Sequence, residues 1–196
     1  MRDQDRGVIE NGDVSPARGF LTWMNYSLGD LEESELNRLF TPTQTSVLQG
    51  KVDGLRNRET AIRLGVPLYR VDLEAGKVID AVKGFGPGSD DTSAAIVIAV
   101  ATNIVDTSRL PLSPVIPLKH TEGNVLAALA KAYNTKEISA LLGYGESSIV
   151  TFKSRILKKF GVPLRRRSST LVAISAAILK SHYETTVVDG SSEVPS

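Results

Sequence analysis

The chain has 196 residues, a net charge of +1 at pH 7 and a hydrophobic content of 41%. Such a composition supports a folded core and excludes a collagen-like or wholly disordered chain. There is no cysteine, which excludes disulfides and thiolate sites, and the only histidines are His120 and His182. We therefore expect neither a metal site nor a cofactor.

Membrane and enzyme functions are not indicated either. The start of the chain is polar and mixed in charge, and the longest apolar run, residues 94–101, is far shorter than the roughly 20 residues that span a bilayer. No paired carboxylates, nucleophile–base pair or metal-ligand spacing stands out, so we do not expect an enzyme. A cytoplasmic protein without a membrane partner is the expectation.

The small net charge hides an uneven distribution. Residues 1–118 carry 12 basic and 16 acidic side chains, whereas residues 119–196 carry 11 basic and six acidic ones. The stretch from Lys153 to Arg167 holds seven basic residues and no acidic one. This asymmetry favours a polyanionic partner for the second half only.

In chain order, residues 1–37 come first. Residues 1–18 are polar and are predicted to form a flexible arm, followed by a short helix with Leu28, Leu31 and Leu36 and with Asp30 as a candidate N-cap. Residues 103–119 contain three prolines and are predicted to be an extended linker. Residues 184–196 are polar and are predicted to be a disordered tail.

The two remaining segments, residues 38–102 and 120–183, repeat one another without a gap at an offset of 78 positions. We call them the first copy and the second copy. Matching positions include Val47-Leu48 with Val125-Leu126, Glu59 with Glu137, and Leu64-Gly65 with Leu142-Gly143. Agreement at charged, glycine and apolar positions in one frame indicates duplication of one unit.

Each copy is predicted to hold four helices, so the fold class is all-α. In the second copy, helical periodicity covers residues 122–133, 136–142 and 146–160, and a fourth helix starts at Ser168 or Ser169 and reaches about His182. The short second helix turns Ile138, Leu141 and Leu142 inward. In the first copy, the third and fourth helices are predicted at residues 68–82 and 92–102.

Two helix ends are marked by local signals. Thr41 is a predicted N-cap, with Pro42 in the first turn and Gln44 closing a capping box. Gly143 stands where the short helix of the second copy ends, a position that favours a left-handed backbone.

A short helix, a tight turn at glycine and a longer helix form a helix-turn-helix, whose second helix enters the major groove of DNA. The second copy resembles the LuxR/GerE-type DNA-binding domain of bacterial transcription regulators over about residues 118–180. The matching stretches are KEIS at 136–139, LG at 142–143, SI at 148–149 and SRILKKFGV at 154–162. The first copy resembles the same family in FTPTQ at 40–44 and GLRNRETA at 54–61. The resemblance implies two tandem four-helix helix-turn-helix modules.

The two copies differ where DNA would be read. In the second copy the face opposite the core carries hydroxyl and basic groups, which suit a groove and its phosphate walls. The candidate DNA-binding residues are Lys136, Ser147, Ser148, Val150, Thr151, Ser154, Arg155, Lys158, Arg165, Arg166 and Arg167. The resemblance implies a DNA-facing lysine where Val150 stands, and we expect Lys153 to contribute a phosphate contact in its place. In the first copy Asp72 stands at that position and would repel phosphates, so this copy is degenerate.

The function that these features favour is a sequence-specific, DNA-binding transcription regulator with double-stranded DNA as its partner. Such a protein is expected to be associated with the nucleoid. We expect no phosphorylation input and no ligand pocket. One alternative is a protein-interaction adapter or antiactivator, which would bind another regulatory protein through the degenerate first copy. A sigma-like factor is a further alternative, less favoured because no polymerase-binding segment is recognisable.

Assembly is expected to involve the fourth helices, through which the domains of this family usually pair. The helix predicted at residues 92–102 is apolar nearly all round and therefore needs a partner. Either the two copies pair within one chain, or two chains pair. The homodimer is favoured, since two-fold symmetry doubles the base contacts.

Overall fold

The computed structural model describes residues 16–24, 33–83, 91–163 and 168–188. All regular elements in these ranges are α-helices, which confirms the all-α fold class. None of these helices has both the length and the apolar content that a membrane crossing requires. In chain order they are α1 Pro16–Trp23, α2 Glu33–Leu36, α3 Pro42–Val52, α4 Asn57–Leu64, α5 Leu68–Ala81, α6 Asp91–Ala101, α7 His120–Ala130, α8 Thr135–Leu142, α9 Glu146–Lys159 and α10 Ser168–Val188.

The helix bounds repeat at the same offset of 78 residues as the sequence. Helices α3, α4 and α5 each begin and end 78 residues before α7, α8 and α9. Gly65 and Gly143 end the short helices α4 and α8 with φ angles of 65° and 71°. A side chain would be strained in this left-handed conformation, so both copies use glycine there. The predicted role of Gly143 is confirmed.

Helices α3 and α8 each begin with a side-chain cap. The amide of Thr41 donates to Gln44 Oε1 at 2.8 Å, and the amide of Gln44 donates to Thr41 Oγ1 at 3.3 Å. This reciprocal pair is the predicted capping box. Helix α8 begins with the same arrangement at Asn134 and Glu137, which the sequence analysis did not identify.

Helices α6 and α10 lie at the centre of the molecule and pack against each other. Residues 93–101 of α6 and 170–177 of α10 are buried on all sides, which confirms that α6 needs a partner. Lys180 in the second half of α10 donates to the carbonyl of Val100 at 3.2 Å and to Asn103 Oδ1 at 2.7 Å. These helices pair within one chain and cover each other's apolar surface, so the structure gives no support to the homodimer predicted through the fourth helices.

The N-terminal region contributes to this core through α1, whose residues 16–18 fall at the end of the predicted arm; residues 1–15 lie outside the described residues. Phe20, Leu21 and Met24 have no exposed surface, and α1 packs on both α6 and α10. The rings of Phe20 and Trp23 lie 5.7 and 5.9 Å from the ring of Tyr183 on α10. Leu36 ends the single turn α2 and is buried. Leu28, Asp30 and Leu31 lie outside the described residues.

One helix end and one connection differ from expectation. Helix α10 continues to Val188, past residue 184, where the disordered tail was predicted to begin. The connection at 103–119 contains no helix, as its prolines predicted. It is nevertheless packed, because Val105 and Leu110 are buried and the amide of Val115 donates to the carbonyl of Lys159 at 2.8 Å.

Candidate nucleic-acid interface

The second copy presents a short helix, a three-residue turn and a longer helix. Helix α8 has eight residues, the turn is Gly143-Tyr144-Gly145, and α9 has 14 residues. The hydroxyl of Ser139 on α8 donates to the carbonyl of Tyr144, and the Tyr144 ring meets Phe152 of α9 edge-on at 5.4 Å. These contacts fix the angle at which α9 leaves the turn.

The inner side of α9 is the predicted apolar stripe. Ile149, Ile156, Leu157 and Phe160 are buried, and Phe152 is partly buried against the Tyr144 ring. On α8, Ile138 is buried, whereas Leu141 is 61% exposed. The inward placement predicted for Leu141 was wrong, because an eight-residue helix buries only the narrow strip that faces its neighbours.

Most of the candidate DNA-binding residues lie on the outer side of α9. Their spacing of three, four and seven positions places them on one helical face. The exposed members on this face are Ser147, Val150, Thr151, Ser154, Arg155 and Lys158. Ser148 lies at its edge and is half-buried, and Lys136 is exposed on α8. Arg165, Arg166 and Arg167 lie outside the described residues.

The hydroxyl groups of this face are tied to their own helix. Thr151 Oγ1 donates to the carbonyl of Ser147 at 2.9 Å, and Ser154 Oγ donates to the carbonyl of Val150 at 3.1 Å. Each hydroxyl has one proton and two lone pairs, so both can still accept a hydrogen bond. They can thus receive the amino group of cytosine or adenine without breaking these contacts.

Two lysines of the basic stretch are engaged elsewhere. Lys153 Nζ donates to Thr135 Oγ1 at the start of α8 at 2.8 Å, so the phosphate contact expected of Lys153 is not supported. Lys159 Nζ lies 2.6 Å from Glu122 Oε2 and 2.8 Å from the carbonyl of Pro117. Burial raises the pKa of Glu122, but the hydrogen bonds from Lys159 and the Lys119 amide outweigh it and leave the pKa below its usual value.

The first copy presents a different surface at the equivalent positions. The outer face of α5 carries six exposed residues, Tyr69, Asp72, Leu73, Gly76, Lys77 and Asp80. Tyr69 is 67% exposed and Leu73 is 48% exposed, where the second copy has Ser147 and Thr151. Asp80 replaces Lys158 and reverses its charge. The face that is polar and basic in the second copy is thus apolar and mixed in charge in the first.

Comparison with protein-family models, with curated protein sequences and with solved structures gives no match to this chain.

Proposed function

We propose that the protein is a sequence-specific DNA-binding regulator whose second copy acts as a helix-turn-helix. In this proposal α9 enters the major groove and α8 braces it against the sugar-phosphate backbone. The observation that carries the proposal is the outer face of α9. Two cationic side chains and three hydroxyl groups share one exposed face, and the exposed carboxylate of Glu146 lies at its edge, one turn before Val150.

The side chains on this face are of two kinds, one suited to phosphate contacts and one suited to base contacts. Arg155 and Lys158 stand one turn apart towards the C-terminal half of α9 and are exposed, so they can reach phosphates. Ser147, Thr151 and Ser154 are short enough to let the helix backbone approach the base edges. Phosphate contacts position a protein on DNA, while base contacts choose the sequence.

Val150 gives this face a preference for one base. It is an apolar side chain that is 54% exposed on this face. The thymine methyl is the only apolar group that a base edge presents in the major groove. We therefore expect the bound sequence to hold a thymine opposite Val150.

The test measures binding of the full chain to a pool of random-sequence duplexes between about 50 and 200 mM salt. Each lost phosphate contact changes the slope of log affinity against log salt by about 0.9. The double substitution Arg155→Ala/Lys158→Ala should therefore flatten the slope by about 2. Sequencing the bound duplexes should show that Val150→Ser relaxes one thymine position and leaves the salt slope unchanged.

Lys83→Ala is the matched control, because it removes an exposed lysine outside α8 and α9. It should leave both the slope and the selected sequences as they are in the wild type. Equal slopes for the wild type and the Arg155/Lys158 double variant would show that α9 does not contact the phosphates.

A second candidate function is favoured by the apolar residues of the first copy. Ile62, Leu68, Tyr69 and Leu73 are 44–74% exposed on α4 and α5. Large exposed side chains of this kind are common at protein-interaction surfaces. They suit an adapter that binds another regulatory protein. The same salt titration separates the two functions, since an adapter without DNA-binding activity would retain no duplex even at low salt.

A further inference from the structure

The outer side of α5 exposes large apolar side chains between carboxylates. Tyr69 and Leu73 stand one turn apart and are 67% and 48% exposed. Gly76 follows one turn later, and a Cβ added to it would meet nothing within 4 Å. Asp72 and Asp80 are exposed on the same side. We call these five residues the α5 face. Exposed apolar side chains with a charged border are typical of protein-interaction sites.

The second copy has the opposite character on its equivalent helix. Short hydroxyl side chains replace Tyr69 and Leu73, and Lys158 replaces Asp80. The exposed residues concerned, which we call the α9 face, are Ser147, Thr151, Ser154, Arg155 and Lys158. One face is therefore bulky and acidic, and the other is made of small groups and is basic.

The two faces fit each other in shape and in charge. Large side chains of one helix can fill the spaces that short side chains leave on another, as in ordinary helix packing. When the two helices run in the same direction, helical spacing sets Asp80 opposite Lys158 and sets Asp72 on the same side of the contact as Arg155. Both carboxylates then have a cation near them.

Two residues at the edges carry the other sign. Lys77 lies beside the α5 face and pairs with Glu74 at 2.9 Å, and Glu146 lies beside the α9 face in the first turn of its helix. Each is one charge against two. The α5 face thus stays acidic, and the α9 face stays basic.

We propose that the α5 face of one chain binds the α9 face of a second copy of the same chain. Both faces are exposed, so neither covers the other within one chain. Two α5 faces would bring carboxylates together, and two α9 faces would bring cations together, which is unfavourable. The contact is therefore head to tail, between different surfaces of the two chains.

This contact is weak, because one helix face on each side covers less than the roughly 800 Å² per partner of a stable complex. We expect a dissociation constant of about 0.1–1 mM, which leaves the chain monomeric at micromolar concentration. The α9 face cannot hold DNA and a second chain at once, so a duplex should compete with the association. That competition rests on the proposed function, whereas the association itself does not.

Sedimentation equilibrium of the full chain tests the association at concentrations from about 10 µM to 2 mM. The average mass should rise above the 21.1 kDa of one chain at the upper end. It should rise less as salt increases, because exposed ion pairs are screened. A mass that stays at one chain over the whole range overturns the proposal.

Two variants locate the contact. Tyr69→Ala/Leu73→Ala removes the bulk of the α5 face, and Arg155→Glu/Lys158→Glu reverses the charge of the α9 face, so each should weaken self-association at least about tenfold. Leu112→Ser is the matched control, because it removes an exposed apolar side chain from the 103–119 connection. It should associate as the wild type does. Circular dichroism shows that each variant retains its helices.

Mixing the two variants tests the head-to-tail arrangement. Each variant alone lacks one half of the contact, but the mixture contains an intact α5 face and an intact α9 face. The mixture should therefore form pairs of one chain of each kind, with the affinity of the wild type. A mixture that stays monomeric overturns the proposal, and so does a control variant that loses association as the other two do.

Competition with DNA is measured separately, by adding random-sequence duplex in excess to the associated chain. The duplex should separate the chains from one another. Self-association without any DNA binding would refute the proposed function and support the contact. DNA binding by a chain that never associates would refute the contact and leave the function intact. Association that persists when every chain is bound to a duplex would place the contact away from α9 and overturn the proposal.

Discussion

At the scale of single residues, the basic side chains of the second copy divide into two roles. Arg155 and Lys158 are exposed, whereas Lys159 forms a largely buried ion pair with Glu122 that ties α9 to the start of α7. Losing one partner of such a pair leaves an uncompensated charge in the interior. The pair therefore holds the long helix in place, and we do not assign it to DNA.

The ion pair predicts how stability depends on pH. The pKa of Glu122 is lowered in the folded chain, so the stabilisation is present above the unfolded pKa and is lost as pH falls through the folded pKa. Glu122→Gln carries the residue that the first copy has at this position, Gln44. We expect its unfolding free energy in urea to fall less between about pH 5 and 3 than that of the wild type. Parallel curves for the two proteins would contradict this.

At the scale of elements, the two copies use the same helices with different contacts between them. Gly50 of α3 lies so close to Thr60 of α4 that an added Cβ would be 2.4 Å from Thr60 Oγ1 and 2.9 Å from Thr60 Cγ2. The second copy has Ala128 and Ile138 at these positions. The close approach of α3 and α4 in the first copy thus depends on a glycine.

Substituting this glycine tests the contact. Gly50→Ala should lower the free energy of unfolding by about 1–3 kcal/mol, because Thr60 is buried and cannot move aside. Gly123→Ala in α7 is the matched control, since its Cβ would meet nothing within 4 Å. It should stabilise the protein by about 0.5–1 kcal/mol through helix propensity. Equal effects of the two substitutions in urea unfolding would show that α3 and α4 are not in this contact.

At the scale of the whole molecule, the fourth helices of the two copies form one shared core. The pairing of α6 and α10 is reinforced by Lys180, whose ammonium bonds to the end of α6 and lies 3.7 Å from Glu184. Burial lowers the pKa of Lys180, while Glu184 opposes that change. A core built from both copies couples their stability.

The shared core predicts a monomer that unfolds as a unit. Light scattering at micromolar concentration should give the mass of one chain, 21.1 kDa. Lys180→Ala should lower the unfolding free energy by about 1–3 kcal/mol, because it removes the hydrogen bonds that Lys180 donates to the carbonyl of Val100 and to Asn103 Oδ1. Fluorescence of Trp23 and circular dichroism should report one coincident urea transition. A dimer mass, or two separate transitions, would contradict the shared core.

The sequence by itself determined the local structure of this protein. The helical segments of the second copy, the capping box at Thr41 and the turn at Gly143 follow from short-range signals, because caps, glycine conformation and apolar periodicity act within a few residues. The shared face of Ser147, Thr151, Arg155 and Lys158 follows from helical spacing alone. A repeat at one fixed offset made both copies recognisable.

Only the tertiary structure decided which residues far apart in the sequence contact each other. The pairing of α6 with α10, the burial of Phe20 in the core and the capture of Lys153 by Thr135 join residues whose proximity no local pattern records. The apolar surface of α6 required a partner, but its composition did not distinguish a second chain from α10.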